Sequence, residues 1–371
     1  MNGFYWIYLV MFSLTLWYHF APCFEQKRLI LWGACGFLLL IFTVQDTSVS
    51  VDTAEYIRQY EIIPTLSFTQ MLTHKFEIGF VLLCRFLEAL FEGRRVLLLC
   101  MGLLIMIPFT RSFETDTEQP MIALMAFLAL GMYQHAIIFF RQLAAMAILT
   151  QGYRFIIARK PWKFLLIVLL AMTFHKMSLV FVLVYILYAF PVNKYLLASA
   201  AVVAVIGGVF CQPIMSFILT YVYEYHPMYH ISDGGYTLCF VLWIMVSLSY
   251  WLLKDQMEDP HNKLPFIMLL IAAALQPICF AFYNWLRIVL FFRIALVPLC
   301  ARLYTALFCR KESNSALKLL KQYTPGLHRA VLSVYDTKWF QAAAQCILFA
   351  VLFVWYLSEL EDAAYYMAPF G

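Results

Sequence analysis

Residues 164–190 read FLLIVLLAMTFHKMSLVFVLVYILYAF: two apolar arms joined by the polar pentapeptide FHKMS at 174–178. Inside a bilayer the backbone must satisfy its own hydrogen bonds, so each arm is expected to be helical. Lys160 and Lys163 precede the first arm and Lys194 follows the second. Basic residues favour the cytoplasmic side, so the segment is expected to run outward, turn at FHKMS and return. The arms are short, which puts the turn below the outer interface, in a water-accessible cavity. His175 and Lys176 stand at that turn, where the imidazole would either serve a ligand or be a satisfied core histidine, and the ammonium would snorkel or add positive potential.

The same texture extends in both directions. The 371 residues are 64% hydrophobic and 13% charged, with a mean hydropathy of +0.80. A soluble domain is only about 45–50% apolar and about 25% charged. Apolar runs recur from 3–20 to 339–357, and at about 20 residues per span they predict about 11–13 crossings. The expected class is therefore all-α, a polytopic integral membrane protein folded as a single domain over 1–371. The alternation of a membrane β-barrel is not visible. The first run lacks a basic leader and an A-x-A site, so it reads as a retained helix. Ten cysteines without a C-x-x-C pair read as small core residues.

A net charge of +5 comes from short basic clusters beside apolar runs, which sets orientation and does not suggest nucleic-acid binding. The stretch 309–338 mixes Arg310, Lys311, Lys318 and Lys321 with leucines at helical spacing and reads as a cytoplasmic amphipathic segment. Counting back from it places 222–235, the turn FYNWLR at 282–287, FHKMS and FFRQ at 139–142 on the outer face. Counting forward from the N-terminus puts 46–75 outside as well. The two counts disagree in parity between 110 and 141, which predicts a re-entrant or broken helix there.

A charge at the centre of a span costs about 2.5–3.5 kcal/mol on insertion scales, so intramembrane ionisable residues usually have a use. Arg85 and Glu88, three apart, are expected to meet on one helix face. Arg141, Arg287 and Arg293 have no acid close by in sequence. Guanidinium groups with few acids to neutralise them suggest an anionic ligand, and their planar forks suit phosphate; a lipid-linked diphosphate, chloride or a carboxylate would each fit. Asp52, Tyr56 and Tyr60 form a stripe at spacing four, a carboxylate beside two phenols that suits sugar rings or an interfacial aromatic belt. The tyrosine-rich segment ending at Tyr236, with Glu224 and Asp233, repeats that chemistry.

No H-E-x-x-H, G-x-S-x-G, P-loop, G-x-G-x-x-G or D-x-D sequence occurs. ETDTE at 114–118 reads as a solvated loop face. Metal dependence is disfavoured, and no cofactor is expected. If a glycosyl group is moved, arginines would have to neutralise the leaving diphosphate and a carboxylate or histidine would have to take the acceptor's proton.

The ordered set DTAEYIRQY, KFEIGF, FFRQLAAMAI, FHKMSLV, RIAL and YYMAPF resembles the EpsG-like branch of the Wzy-type polysaccharide polymerases, with their D-x-x-x-Y, E-x-G-[YF], I-R-Q-x-[LI]-A and F-H-x-[ST]-[AS]-L motifs in the same order. Phe140 stands where isoleucine is common, and Met177 replaces a hydroxyl residue. The resemblance implies a metal-independent GT-C-like glycosyltransferase of the bacterial plasma membrane, working at its outer face on undecaprenyl-diphosphate-linked repeat units. A chain-length regulator and a flippase are its implied partners. Carried over by motif, Asp52 and Tyr56, Glu77 and Gly79, Arg141 and Gln142, His175 and Ser178, and less specifically Arg293, are the matching positions. The expected catalytic groups are thus His175, Asp52 and Glu77. Arg141, Gln142, Arg287, Arg293 and Lys176 are expected on the diphosphate, and Tyr56, Tyr60, Ser178 and Tyr236 on sugar. A flippase or transporter of a lipid-linked or anionic substrate, and an O-antigen-ligase-like enzyme, are the rival readings. An acyltransferase lacks its H-x-x-x-D partner.

Overall fold

A computed structural model describes residues 2–46, 50–221, 235–310 and 314–367, and every regular element among them is helical. The expected outer loop at 222–235 lies outside the described residues except for Gly235, as do the end of YYMAPF and residues 311–313. Five helices are long and apolar enough to cross a membrane: Phe24–Val44, Arg95–Asp116, Tyr236–Gln256, Pro260–Phe280 and Lys338–Ser358. Two bent pairs bring the number to seven if each is one span. The protein is a polytopic all-α membrane protein, as expected. The remaining apolar runs form helices too short for that test, such as Phe140–Thr150, Pro161–Met172 and Lys176–Leu187.

The break expected between 110 and 141 falls at Gly131, where Pro120–Ala129 and Met132–Ile138 meet at 56°. Gly131 takes φ 78°, a left-handed conformation that a side chain would strain. A second break follows at Phe139, whose φ and ψ of −115° and 47° end one helix and open Phe140–Thr150. Non-helical backbone at this depth is tolerated only where protein or a wet cavity covers it. Here protein covers it: every residue of Pro120–Ala129 is buried, and Tyr133 donates its hydroxyl to the Leu38 carbonyl at 2.7 Å.

The core sits around this broken helix and Pro260–Leu275. Phe24–Val44 packs on Arg95–Asp116, which packs in turn on Phe140–Thr150, and Leu296–Phe308 closes over Pro120–Ala129. Arg85 does not meet Glu88. Its guanidinium donates instead to the Leu66 carbonyl at 2.9 Å, because helix Ile78–Leu90 lies against the turn Ile63–Thr65. The basic segment after 309 forms two short helices, Ser315–Tyr323 and Pro325–Val334, with Leu319, Tyr323 and Leu327 exposed.

One end of the bundle is tied by Arg302, which the sequence did not single out. Its guanidinium donates to the Asp116 carbonyl (2.5 and 3.2 Å), to Asp259 (3.1 Å) and to Asn262 (3.1 Å). Arg310 continues the knot by bonding Glu118 and Gln256.

Candidate functional site

The other end gathers residues from five separate stretches of chain. Glu77 occupies the position before helix Ile78–Leu90, with φ −65° and ψ 147°, so its side chain leaves the helix axis and is free to reach outward. One carboxylate oxygen accepts from Arg141 Nη1. The other accepts the backbone N–H of Lys176 at 3.0 Å and lies 3.8 Å from His175 Nδ1.

Gly79 explains why the two motifs meet. The backbone N–H groups of Gly79 and Phe80 both donate to the Thr173 carbonyl, at 2.8 and 3.3 Å. A Cβ on Gly79 would stand 2.3 Å from Thr173 Oγ1 and 2.7 Å from the carbonyl oxygen. E-x-G is thus the dock onto which the F-H turn is bolted. The turn itself is closed by Ser178, whose N–H and hydroxyl donate to the His175 carbonyl at 3.0 and 2.8 Å. Ser178 was expected on sugar, but it is fully buried and its hydroxyl is spent inside the turn.

Arg141 sits two residues past the break at Phe139, in the first turn of its helix. Its guanidinium carbon lies 4.0 Å from the Phe76 ring centroid, 5.0 Å from Tyr56 and 5.5 Å from Phe80. Such aromatic faces favour a cation, most when water is excluded, and the side chain is only 12% exposed. Tyr56 is buried as a wall of this box, 4.4 Å from Phe140, and is not an open sugar platform. Tyr60, one turn further, is buried away from the cluster, near Cys84 and Glu88.

Arg287 opens onto the same site from the first turn of helix Leu286–Arg293. It donates to Asp52 at 3.0 Å and lies 4.2 Å over Phe139. Gln142 Nε2 donates to the Arg287 carbonyl at 2.5 Å and so ties that helix to Arg141. Thr53 donates to the Ile137 carbonyl at 2.8 Å, which anchors helix Val51–Ile62 to the broken one.

His175 lies between the helices, its ring stacked at 16° and 6.0 Å on Phe291. Burial pushes its imidazole below the usual histidine range. Glu77 pulls the other way, and the charges of Arg141 and Arg287 reinforce the drop. Its buried Nδ1 lies beside Glu77 and has no hydrogen-bond partner among the described residues.

The expectation that the arginines would lack acids is overturned at this site: Arg141 is held by Glu77 and Arg287 by Asp52. Each of these bonds uses one N–H of the guanidinium. Since an arginine carries five N–H donors, the pairing orients the fork and leaves donors for a ligand. Arg293 is buried in the bundle, where its charge reaches Cys279, and it does not join this cluster. Tyr236 stacks on Phe280 at 4.2 Å, also apart from it. Phe76, Phe139 and Phe291, which build the walls, were not singled out in sequence, where they are indistinguishable from lipid-facing phenylalanine. Among the described residues no three His, Cys, Asp or Glu side chains gather as a metal would need.

Fold and site together define a multi-pass membrane protein with an interlocked cluster of arginines, carboxylates and one histidine at one end. The family model of EpsG matches residues 29–341, so the chain belongs to the EpsG family, which is linked to polysaccharide biosynthesis. No curated protein and no solved structure matches the chain.

Proposed function

We propose that the protein is a repeat-unit polysaccharide polymerase: a metal-independent, GT-C-type glycosyltransferase of the bacterial plasma membrane. It moves a growing glycan from undecaprenyl diphosphate onto a sugar hydroxyl of the next lipid-linked unit, at the outer face. The observation that carries this reading is the meeting of Arg141 and Arg287 beside the mostly buried imidazole of His175. An anion with several oxygens and a hydroxyl proton to be removed is the substrate such a group of side chains suits.

In the proposed reaction the anomeric carbon's bond to the diphosphate oxygen breaks, and a bond to the acceptor oxygen forms. The acceptor's proton passes to the His175 imidazole, and the charge left on the lipid diphosphate is met by the remaining N–H donors of Arg141 and Arg287. Lys176, exposed beside them, adds positive potential. Glu77 and Asp52 hold the arginines, and Gln142 fixes the spacing between them.

The test is to incubate purified protein with a lipid-linked repeat unit and read product length on a gel. Wild type should give a ladder, and Arg141→Ala and His175→Ala should give only starting material while still reaching the membrane. Normal ladders from both variants would reject the site. Passage of the substrate across liposomes without lengthening would favour a flippase. A single transfer to a different acceptor would favour a ligase.

A further inference from the structure

Arg141 opens helix Phe140–Thr150 and Thr150 closes it, about 14 Å along the axis. At that far end Thr150 lines a cavity of about 120 Å³ enclosed by the ends of Arg95–Asp116 and Pro260–Leu275 and by helix Tyr153–Ile157. Its walls are apolar, with Phe109, Phe113, Leu264 and Met268 among them, and its polar groups are Asp116, His261, Arg154, Tyr153 and the hydroxyls of Ser112 and Thr150. None of these has a part in the reaction proposed above.

The polar groups are arranged and not merely present. Asp116 accepts from Ser112 Oγ at 2.7 Å and Thr115 Oγ1 at 3.0 Å, and lies 3.8 Å from His261 Nδ1. Arg302 binds the Asp116 carbonyl from behind but gives its side-chain charge to Asp259, so the Asp116 carboxylate has no arginine or lysine bonded to it among the described residues. Arg154 faces the same cavity, lies 4.7 Å over the Phe155 ring, and pairs with no carboxylate among the described residues. The chain just beyond carries Arg159, Lys160 and Lys163.

A ligand for this cavity therefore needs an apolar part for the walls, an anionic group for Arg154 and hydroxyl donors for Asp116. In a bilayer an anionic phospholipid with a hydroxylated headgroup combines all three in a form small enough for about 120 Å³. We propose that the cavity seats the headgroup end of an anionic phospholipid carrying a free glycerol, its phosphate on Arg154 and His261, its hydroxyls donating to Asp116. A zwitterionic choline lipid has no hydroxyl donor to offer. Phosphatidic acid would bring its phosphate against the Asp116 carboxylate with no intervening diol. Basic pockets between spanning helices are suited to anionic headgroups.

The full-length protein, freed of co-purified lipid in detergent, is titrated with phosphatidylglycerol, phosphatidic acid and phosphatidylcholine, and bound lipid is counted by native mass spectrometry. Wild type should retain phosphatidylglycerol in preference to both others. Arg154→Ala should weaken it by about tenfold or more, as loss of a charged hydrogen bond does. Lys160→Ala, in the same basic run but outside the cavity, should cost no more than about fivefold, the contribution of one surface cation. Asp116→Asn should erase the preference for phosphatidylglycerol over phosphatidic acid, a change that loss of general surface attraction would not produce. Thermal unfolding without lipid identifies a variant that has simply lost its fold, and Ser112→Ala, which loosens the same carboxylate, then replaces Asp116→Asn in the comparison. Equal binding of phosphatidylglycerol and phosphatidylcholine by wild type would overturn the proposal. So would an equal loss from Arg154→Ala and Lys160→Ala, or a lipid preference that survives the change at Asp116 or Ser112.

Discussion

Gly79→Ala is the smallest change that separates the site's architecture from its chemistry, because glycine touches no substrate in the proposed reaction. The new methyl would lie 2.3 Å from Thr173 Oγ1 and 2.7 Å from the Thr173 carbonyl oxygen. The first contact can be relieved by moving a side chain. The second cannot, since that carbonyl accepts the N–H groups of Gly79 and Phe80. A carbon rests about 3.3 Å or more from such an oxygen, so the turn must retreat by about 0.6 Å. Crowding of this kind costs about 1–3 kcal/mol, and loosening the two hydrogen bonds adds about 1–3 kcal/mol. The retreat carries His175 and the Lys176 amide away from Glu77, and a misplacement of about 1 Å lowers a rate by about 100-fold. Gel ladders give the activity and thermal unfolding in detergent gives the stability. Thr173→Ala alone should be mild, and in the double variant it should recover only the part due to Oγ1. Near-normal polymerisation by Gly79→Ala, or full rescue by Thr173→Ala, would show that the dock does not set the geometry.

Arg141→Lys keeps the charge but loses the planar fork between Glu77 and the aromatic box, and should reduce ladder formation by about 100-fold with normal membrane insertion. Arg302→Met leaves Asp259, Asn262 and the Asp116 carbonyl without their shared donor and should lower stability by about 3–5 kcal/mol, read as an earlier unfolding transition. On helix Val51–Ile62, Arg58 first, then Lys75 and Gln59, hold the Glu55 carboxyl down to about 2 against the opposing effect of burial. An unfolded glutamate titrates near about 4.3, so this contribution to stability is complete above that pH and is lost as pH falls toward the folded value. Glu55→Gln should therefore flatten the acid side of the stability profile, and an unchanged profile would remove Glu55 from that account.

The membrane character was legible because hydrocarbon imposes length and composition on every crossing. The breaks were only half legible. Parity located one between 110 and 141, but nothing marks Phe139 as a helix end except the backbone angles it adopts. Arg141 stood without an acid in sequence because its acid is Glu77, sixty-four positions away, and no local pattern reports a pairing of that range. The stripe of Asp52, Tyr56 and Tyr60 was correctly placed on one helix, but its phenols face inward, since a ring that stacks on sugar and one that walls a cation share the same spacing. Arg302, on the last helix before 309–338, was not singled out in sequence, because no local pattern shows that it binds three segments together.

The paired acids sharpen the case for an anionic substrate. Val51–Ile62, Ile78–Leu90, Phe140–Thr150 and Leu286–Arg293 all begin at the cluster, and Asp52, Glu77, Arg141 and Arg287 each stand at or within the first turn of one of them. Helix starts carry unsatisfied N–H groups and a partial positive charge, so four starts together with two guanidinium groups would make an empty site electrostatically costly. Glu77 and Asp52 lower that cost where the field is most positive, and they do so through single N–H contacts. A carboxylate in that place fixes the direction of each fork without occupying it. In the proposed reaction a diphosphate would enter a field whose cations are already aimed, which is how preorganised charge lowers a barrier without reorganisation during the reaction. The same geometry argues against a cationic substrate, because such a ligand would have to displace the two arginines from the only carboxylates the site provides among the described residues.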